Sequence, residues 1–168
     1  LIDAIKKGFK TRQPDDRVRA LFDAFKNTNA ECSEPAQRSD DYTLVVVARA
    51  VQTLIGPNID QAESADFAQA FIDLVAASCD RDEGDTDGDG ELDSREASTL
   101  WADLTDRLHE EYSRPEGGYA RLMNGDTKPS TRRFLQLAFN RKQGHPKVLV
   151  AQSVVGREGL NLHKACRT

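Results

Sequence analysis

The sequence predicts an α/β fold in which helices flank a parallel sheet. Two short runs rich in β-branched residues, 42–48 (YTLVVVA) and 147–151 (KVLVA), are apolar on both faces. Such runs are typical of strands buried in a parallel sheet. In the last third of the chain, a strand pattern at 119–123, a helical pattern that opens at Pro129 and the run at 147–151 follow one another. This alternation predicts a βαβ unit.

The first predicted segment, residues 1–59, contains one clear helix and the strand over 42–48. Residues 1–12 are basic and weakly patterned, and we interpret them as the end of a preceding helix. The helix over 15–27 has apolar residues at positions i, i+3, i+4 and i+7, which are Val18, Leu21, Phe22 and Phe25.

The second predicted segment, residues 60–118, contains two helices with an acidic stretch between them. The first helix is marked by Phe67, Ala70, Phe71, Leu74 and Val75. The second is marked by Ala97, Leu100, Trp101, Leu104 and Leu108. We interpret the segment as a helical insertion into the α/β fold.

Charge is unevenly distributed along the chain, although the net charge is −5. Residues 80–96 contain nine acids and two bases, a local net of −7. Residues 119–168 contain ten bases and two acids, a local net of +8. Lys and Arg displace condensed counterions from a nucleic-acid backbone, so the basic third could contact phosphates. A solvated basic face is the alternative.

Residues 119–140 (YARLMNGDTKPSTRRFLQLAFN) and 146–167 (PKVLVAQSVVGREGLNLHKACR) form the most specific pattern. This pattern resembles the C-terminal RecA-like domain of superfamily 2 helicases. The branch it is most similar to comprises the Swi/Snf-type and bacterial RNA-polymerase-recycling translocases. The resemblance covers 119–168 through the element called motif V. It extends weakly to 15–48, where the run at 42–48 would be the motif IV strand.

The resemblance implies contacts with nucleic acid and with the ATP cleft from two loops, the turn after the second strand and the motif V loop. Both loops follow the C-terminal ends of strands, where open parallel sheets bind ligands. Glycines there permit close backbone approach, hydroxyl groups can bond phosphate oxygens, and bases supply charge. The implied residues are Gly125, Thr127, Lys128, Ser153, Gly156, Arg157, Glu158, Gly159 and Asn161.

Three elements of a complete motor are missing from the sequence. There is no GxxxxGK[ST] phosphate loop, because Gly8-Phe9-Lys10-Thr11 lacks the rest of that pattern. There is no DExx box. The QxxGRxxR motif, which carries the arginine finger in the family, does not follow before Thr168. We therefore expect a fragment that does not hydrolyse ATP alone, with an exposed sheet edge that favours self-association.

The resemblance also implies cofactors and partners for the parent enzyme. ATP and Mg²⁺ would be its cofactors, and nucleic acid its track, with DNA favoured over RNA. The missing N-terminal RecA-like domain would be the protein partner. The expected compartment is intracellular, either cytoplasmic or in the nucleoid or nucleus. No membrane partner is expected, because no apolar run approaches the roughly 18–20 residues of a membrane span.

The acidic stretch 85–96 (DTDGDGELDSRE) fits the twelve-residue calcium loop of an EF-hand. The candidate ligands, with Glu91 contributing its backbone carbonyl, are Asp85, Asp87, Asp89, Glu91, Asp93 and Glu96. The helix from Ser94 stands where an exiting helix should begin. The polar stretch before Asp85 departs from the pattern. Three interpretations stay open: a motor fragment, a calcium-binding module on an α/β scaffold, and an inert fragment.

Overall fold

The computed structural model describes residues 1–31, 43–56, 58–79, 91–112, 120–141 and 146–152. These residues are mostly helical and include one small parallel sheet. The helices are α1 (Ile2–Arg12), α2 (Asp16–Glu31), α3 (Thr43–Ile55), α4 (Ser64–Ser78), α5 (Ser94–Tyr112) and α6 (Pro129–Phe139), and the strands are β1 (Ala120–Met123) and β2 (Val148–Ala151). A short 3-10 turn, Ile59–Gln61, precedes α4.

Helices α1–α5, which we call the helical body, pack around one apolar core. Its centre is an aromatic cluster in which the ring centroids of Phe22 and Phe71 lie 5.6 Å apart and those of Phe25 and Trp101 lie 5.1 Å apart. Phe9 on α1 contacts the same rings. Aromatic side chains bury large apolar areas, so this cluster is a major source of stability.

The strand predicted over 42–48 is wrong, because residues 43–48, the described part of this run, belong to helix α3. The apolar residues continue past Ala48 at helical spacing, and the buried ones are Val46, Val47, Ala50, Val51 and Leu54. They form one stripe that packs against α4 and α5. Burial of this stripe overrides the β propensity of the valines, which is a weak preference that depends on context.

Arginine side chains from α3, from α5 and from the segment just after α6 hold the C-terminal ends of three helices in the helical body. The last carbonyls of a helix have no acceptor role inside it, and a cation there also interacts favourably with the helix dipole. Nη1 of Arg49 donates to the carbonyl of Tyr112, the last residue of α5, at 2.9 Å. Nη1 of Arg107 donates to the carbonyl of Ser78 at 2.8 Å, and Nη1 of Arg141 donates to the carbonyl of Leu54 at 3.1 Å. Arg141 also pairs with Asp73.

Helices α1 and α4 approach each other closely at Gly8. A Cβ atom at this position would lie 1.9 Å from the carbonyl oxygen of Ser64 and 2.6 Å from Cβ of Ala68. Only a residue without a side chain fits this contact. Gly8 therefore has a packing role, and it is not the start of a phosphate loop.

Strands β1 and β2 are parallel, with Ala120 paired to Val148 and Met123 to Ala151. Together with α6 they form what we call the α/β unit, which confirms the predicted strand, helix and strand. Met123, Leu135 and Leu149 make a small second core between sheet and helix. The opposite face of the sheet exposes three apolar side chains, Leu122, Val148 and Val150. A parallel sheet is normally covered on both faces, so this face is unusual.

The helices predicted at 60–118 are confirmed as α4 and α5, but they do not form a core of their own. Both contribute to the same core as α1–α3, and Phe134 and Ala138 of α6 join it. The predicted division at residue 59 therefore does not separate two cores in the described part of the chain. None of the described helices is both long and apolar enough to cross a membrane.

Candidate functional site

The turn that follows β1, residues 124–128, lies where the C-terminal ends of the two strands meet. The N–H of Gln152, just after β2, donates to the carbonyl of Met123 at 3.0 Å. The parallel register therefore brings the predicted turn to the same sheet edge as Gln152, the last described residue after β2. Ligands of open parallel sheets bind at this edge.

Asn124 and Thr127 close the turn through three hydrogen bonds. The N–H of Thr127 donates to the carbonyl of Asn124 at 3.2 Å. The hydroxyl of Thr127 accepts from the N–H of Asn124 at 3.0 Å and donates to Oδ1 of the same residue at 2.9 Å. The Thr127 hydroxyl thus donates its hydrogen bond inside the turn. A phosphate oxygen could accept that hydrogen bond only by displacing the Asn124 side chain.

Arg132 braces the turn from the first part of α6. Its Nε donates to the carbonyl of Thr127 at 2.8 Å, and its Nη2 donates to the carbonyl of Gly125 at 3.0 Å. The planar guanidinium group holds two carbonyls at once, which fixes the shape of the loop. Arg132 therefore has a structural role here that the sequence pattern did not reveal.

Lys128 lies at the boundary between the turn and α6. It is the N-cap residue, Pro129 is the first residue of the helix, and the first intrahelical bond runs from the N–H of Arg132 to the carbonyl of Lys128 at 3.0 Å. Its side chain reaches back to α5, where Nζ lies 2.7 Å from Oε2 of Glu110. The side chains of this ion pair are 56% and 63% exposed, so solvent has ready access to both.

A pocket of about 280 Å³ lies beside the turn. Its lining residues are Glu110, Arg121, Leu122, Asn124, Asp126, Thr127, Lys128, Thr131 and Leu135. Two bases and two acids are among them, so the formal charge of the lining is zero. Burial lowers the pKa of Arg121. The pocket is polar enough to hold a charged group, and its charge is finely balanced.

Gly125 stands at the outer side of the turn. A Cβ atom added there would have no neighbour within 4 Å. The turn itself therefore tolerates a side chain, unlike the helix contact at Gly8. A requirement for glycine at this position would have to come from a ligand that approaches the backbone.

All six residues predicted in the motif V loop follow β2 in the chain. Ser153, Gly156, Arg157, Glu158, Gly159 and Asn161 lie outside the described residues. Their predicted roles stay predictions. The chain position of the loop, directly after Gln152, is the observation that links them to the turn at 124–128.

The predicted calcium loop is described only in its second half. Asp85, Asp87 and Asp89 lie outside the described residues, whereas Glu91, Asp93 and Glu96 lie within them. Asp93 caps α5, since its Oδ1 accepts from the N–H of Arg95 at 2.7 Å and of Glu96 at 2.8 Å. In the opposite direction, the N–H of Asp93 donates to Oε2 of Glu96 at 3.2 Å. Two predicted ligands thus form a reciprocal cap.

The described part of this loop supplies carboxylate oxygens, the type of ligand that calcium prefers, but fewer than a calcium site needs. Calcium binds six to eight oxygens. Among the described residues, no group of three or more His, Cys, Asp or Glu side chains is placed to hold a metal ion. The site would therefore need the carboxylates at 85–89 together with Asp93 and Glu96.

Glu110, like Arg132, is a residue of the site that the sequence did not indicate. It belongs to α5 and lies eighteen positions before Lys128 in the chain. Glu110 lies outside the basic segment 119–168 and belongs to none of the sequence motifs. Only the packing of the end of α5 against the start of α6 brings its carboxylate to the turn.

Comparison of the chain with models of known protein families, with curated proteins and with solved structures finds no match.

Proposed function

We propose that this chain is part of an ATP-dependent motor that moves on nucleic acid, and that the turn at 124–128 contacts a backbone phosphate. The observation that carries the proposal is the shared edge of the α/β unit. There the turn after β1 lies beside Gln152, the residue that follows β2 and directly precedes the predicted motif V segment in the chain. The residue pattern on these two loops is the one that resembles superfamily 2 motors.

The start of α6 offers two features that favour an anion. Helix N-termini carry a partial positive charge and N–H groups without intrahelical acceptors. In α6 the first intrahelical bond comes from Arg132, so the N–H groups of Ser130 and Thr131 precede it. Lys128 adds a flexible ammonium group at the same end. Phosphate oxygens suit this combination of dipole and charge.

The contribution of Thr127 is best understood as structural. Its hydroxyl group is satisfied by Asn124, and Arg132 holds its carbonyl. These bonds preorganise the loop before any ligand arrives, which reduces the entropy lost on binding. We therefore assign the phosphate contact to Lys128 and the start of α6, and the shaping of the loop to Thr127.

ATP and Mg²⁺ would serve the parent enzyme and not this chain alone. The sequence has no phosphate loop, so the groups that cradle the nucleotide must come from the partner RecA-like domain. The motif V residues, Arg157 and Gly159 among them, would face the cleft between the two domains. Duplex DNA is the preferred track in this proposal, with RNA as the comparison.

The test is the salt dependence of DNA binding, measured by fluorescence anisotropy with labelled duplex DNA. Each phosphate contact through a base contributes about one unit of slope in log K against log salt. We expect Lys128→Ala and Arg157→Ala each to weaken binding and to reduce this slope by about one. Lys26→Ala, which removes an equal charge from α2, is the matched control and should leave the slope unchanged.

Two results would contradict the proposal. One is binding that does not change with salt or is absent. The other is an equal loss in Lys26→Ala and Lys128→Ala, which would indicate a response to net charge alone. Parallel titrations with duplex RNA measure the preference for DNA.

A second candidate function, calcium binding, is favoured by one specific observation. Helix α5 begins at Ser94, where the EF-hand pattern expects the exiting helix, and the side chains of Asp93 and Glu96 both lie at its start, each bonded to the other residue's backbone N–H. Calorimetric titration of the chain with Ca²⁺ should give saturable heat that Asp85→Ala removes. Asp103→Ala, on the exposed side of α5, is the control. Absence of heat at about millimolar calcium, the weak end of such loops, would exclude this function.

A further inference from the structure

The ion pair between Glu110 and Lys128 joins the end of α5 to the start of α6. The two charged atoms, Oε2 and Nζ, lie 2.7 Å apart. We propose, on the basis of the function proposed above, that Glu110 is an internal competitor for nucleic-acid phosphate at Lys128. The last turn of α5 then sets the affinity of the turn at 124–128.

The charges around the pocket explain why one carboxylate matters. Glu110 and Asp126 balance Arg121 and Lys128, so the lining has no net charge. Loss of the Glu110 charge would give the lining a net charge of +1. Residues 119–168 carry a net charge of +8. At this pocket, Glu110, which lies outside that segment, offsets part of this positive charge.

The ion pair is suited to exchange because both partners are solvent-exposed. Exposed pairs are screened by salt and contribute little to stability. A phosphodiester can therefore replace the carboxylate on the Lys128 ammonium at small cost. The Arg132 bonds to the turn carbonyls do not involve Glu110, so the loop keeps its shape during the exchange.

The alternative is that Glu110 merely repels DNA at a distance, as any acidic residue would. Asp106 separates the two explanations, because it is exposed, carries the same charge and lies one turn earlier on α5. A competitor acts only through Lys128. A remote repulsive charge acts whether or not Lys128 is present.

The experiment is a double-mutant cycle on the whole chain with labelled duplex DNA at low salt. The variants are Glu110→Gln, Lys128→Ala, the double variant and the control Asp106→Asn. We expect Glu110→Gln to tighten binding by about two- to five-fold, the range set by the strength of exposed ion pairs. In the Lys128→Ala background the same change should have no effect. Asp106→Asn should change the affinity less than Glu110→Gln does.

Several results would overturn the inference while leaving the proposed function intact. They are unchanged affinity in Glu110→Gln, an equal gain in the Lys128→Ala background, or an equal gain in Asp106→Asn, each with salt-dependent binding preserved in the unmodified chain. Absence of salt-dependent binding in the unmodified chain overturns the proposed function and the inference together. Equal thermal midpoints of Glu110→Gln and the unmodified chain verify that the fold is intact.

Discussion

The helical body and the α/β unit differ in how they bury their apolar surface. In the helical body, α1–α5 enclose an aromatic cluster whose members Phe25 and Phe71 are fully buried. In the α/β unit the second core comprises Met123, Leu135 and the partly buried Leu149, and one sheet face is exposed. The comparison indicates that stability resides mainly in the first region, whereas the second contains the polar turn to which we assign phosphate binding.

Helix α6 joins the two regions. Phe134 packs on the core of the helical body, with its ring 5.5 Å from that of Tyr112, and Leu135 packs under the sheet. Burial raises the pKa of Tyr112, and its side-chain hydrogen bond with Thr53 opposes this rise. The turn that we assign to phosphate binding is therefore held by a helix that is anchored in the stable region.

The largest expected effect is loss of the aromatic cluster in Phe71→Ala. Removing a large aromatic side chain from a packed core costs about 3–5 kcal/mol in the free energy of unfolding. Denaturant titration should show this loss. Leu135→Ala in the α/β unit is the comparison, and hydrogen exchange should show its effect mainly in β1 and β2. A global loss of similar size in both variants would contradict the division into a stable and a less stable region.

The next effect concerns glycine in the two regions. Gly8→Ala places Cβ against the backbone of α4, and the resulting strain should cost about 1–3 kcal/mol. Gly125→Ala meets open space and should leave the unfolding midpoint unchanged. Thermal denaturation of the two variants measures the contrast. If Gly125→Ala were the more destabilising change, the described shape of the turn would be wrong.

A smaller effect is expected for the arginines that hold helix ends. Arg107→Met keeps the aliphatic part of the side chain but removes the bond to the carbonyl of Ser78, at a cost of about 1–2 kcal/mol. Arg95→Met, at an exposed position on the same helix, should cost almost nothing. Equal unfolding free energies for the two variants would show that the Arg107 bond to the end of α4 does not stabilise the fold.

The smallest effect is expected on the open face of the sheet. Leu122 is 59% exposed, so Leu122→Thr should change the free energy of unfolding by less than about 0.5 kcal/mol. Sedimentation of the unmodified chain should show association with rising concentration, and Leu122→Thr should reduce it. A monomer at all concentrations would show that the exposed face has no such consequence.

The sequence predicted the α/β unit well because local signals agreed there. Pro129 marks the start of a helix, and the apolar runs on either side of α6 are short and bounded by turns. The run at 42–48 misled because a short apolar run looks alike in a buried strand and a buried helix. Its continuation to Leu54 at helical spacing was the signal that favoured the helix.

The candidate site could be predicted only in part. Gly125, Thr127 and Lys128 follow from the motif, and the structure brings them to one turn. The competitor Glu110 and the brace Arg132 depend on tertiary contacts and side-chain direction, which no spacing rule encodes. For the same reason, the net charge of segment 119–168 does not give the charge of the pocket, because the carboxylate that balances Lys128 belongs to Glu110 on α5.

The most direct test of the central claim is hydrogen exchange of the chain with and without duplex DNA. We expect DNA to slow exchange in peptides covering the turn at 124–128, the start of α6 and the segment from Ser153 onward. The helical body should exchange as before. Slowing confined to α1, where Lys6, Lys7 and Lys10 form another exposed basic group, would contradict the assignment of the nucleic-acid contact to the α/β unit.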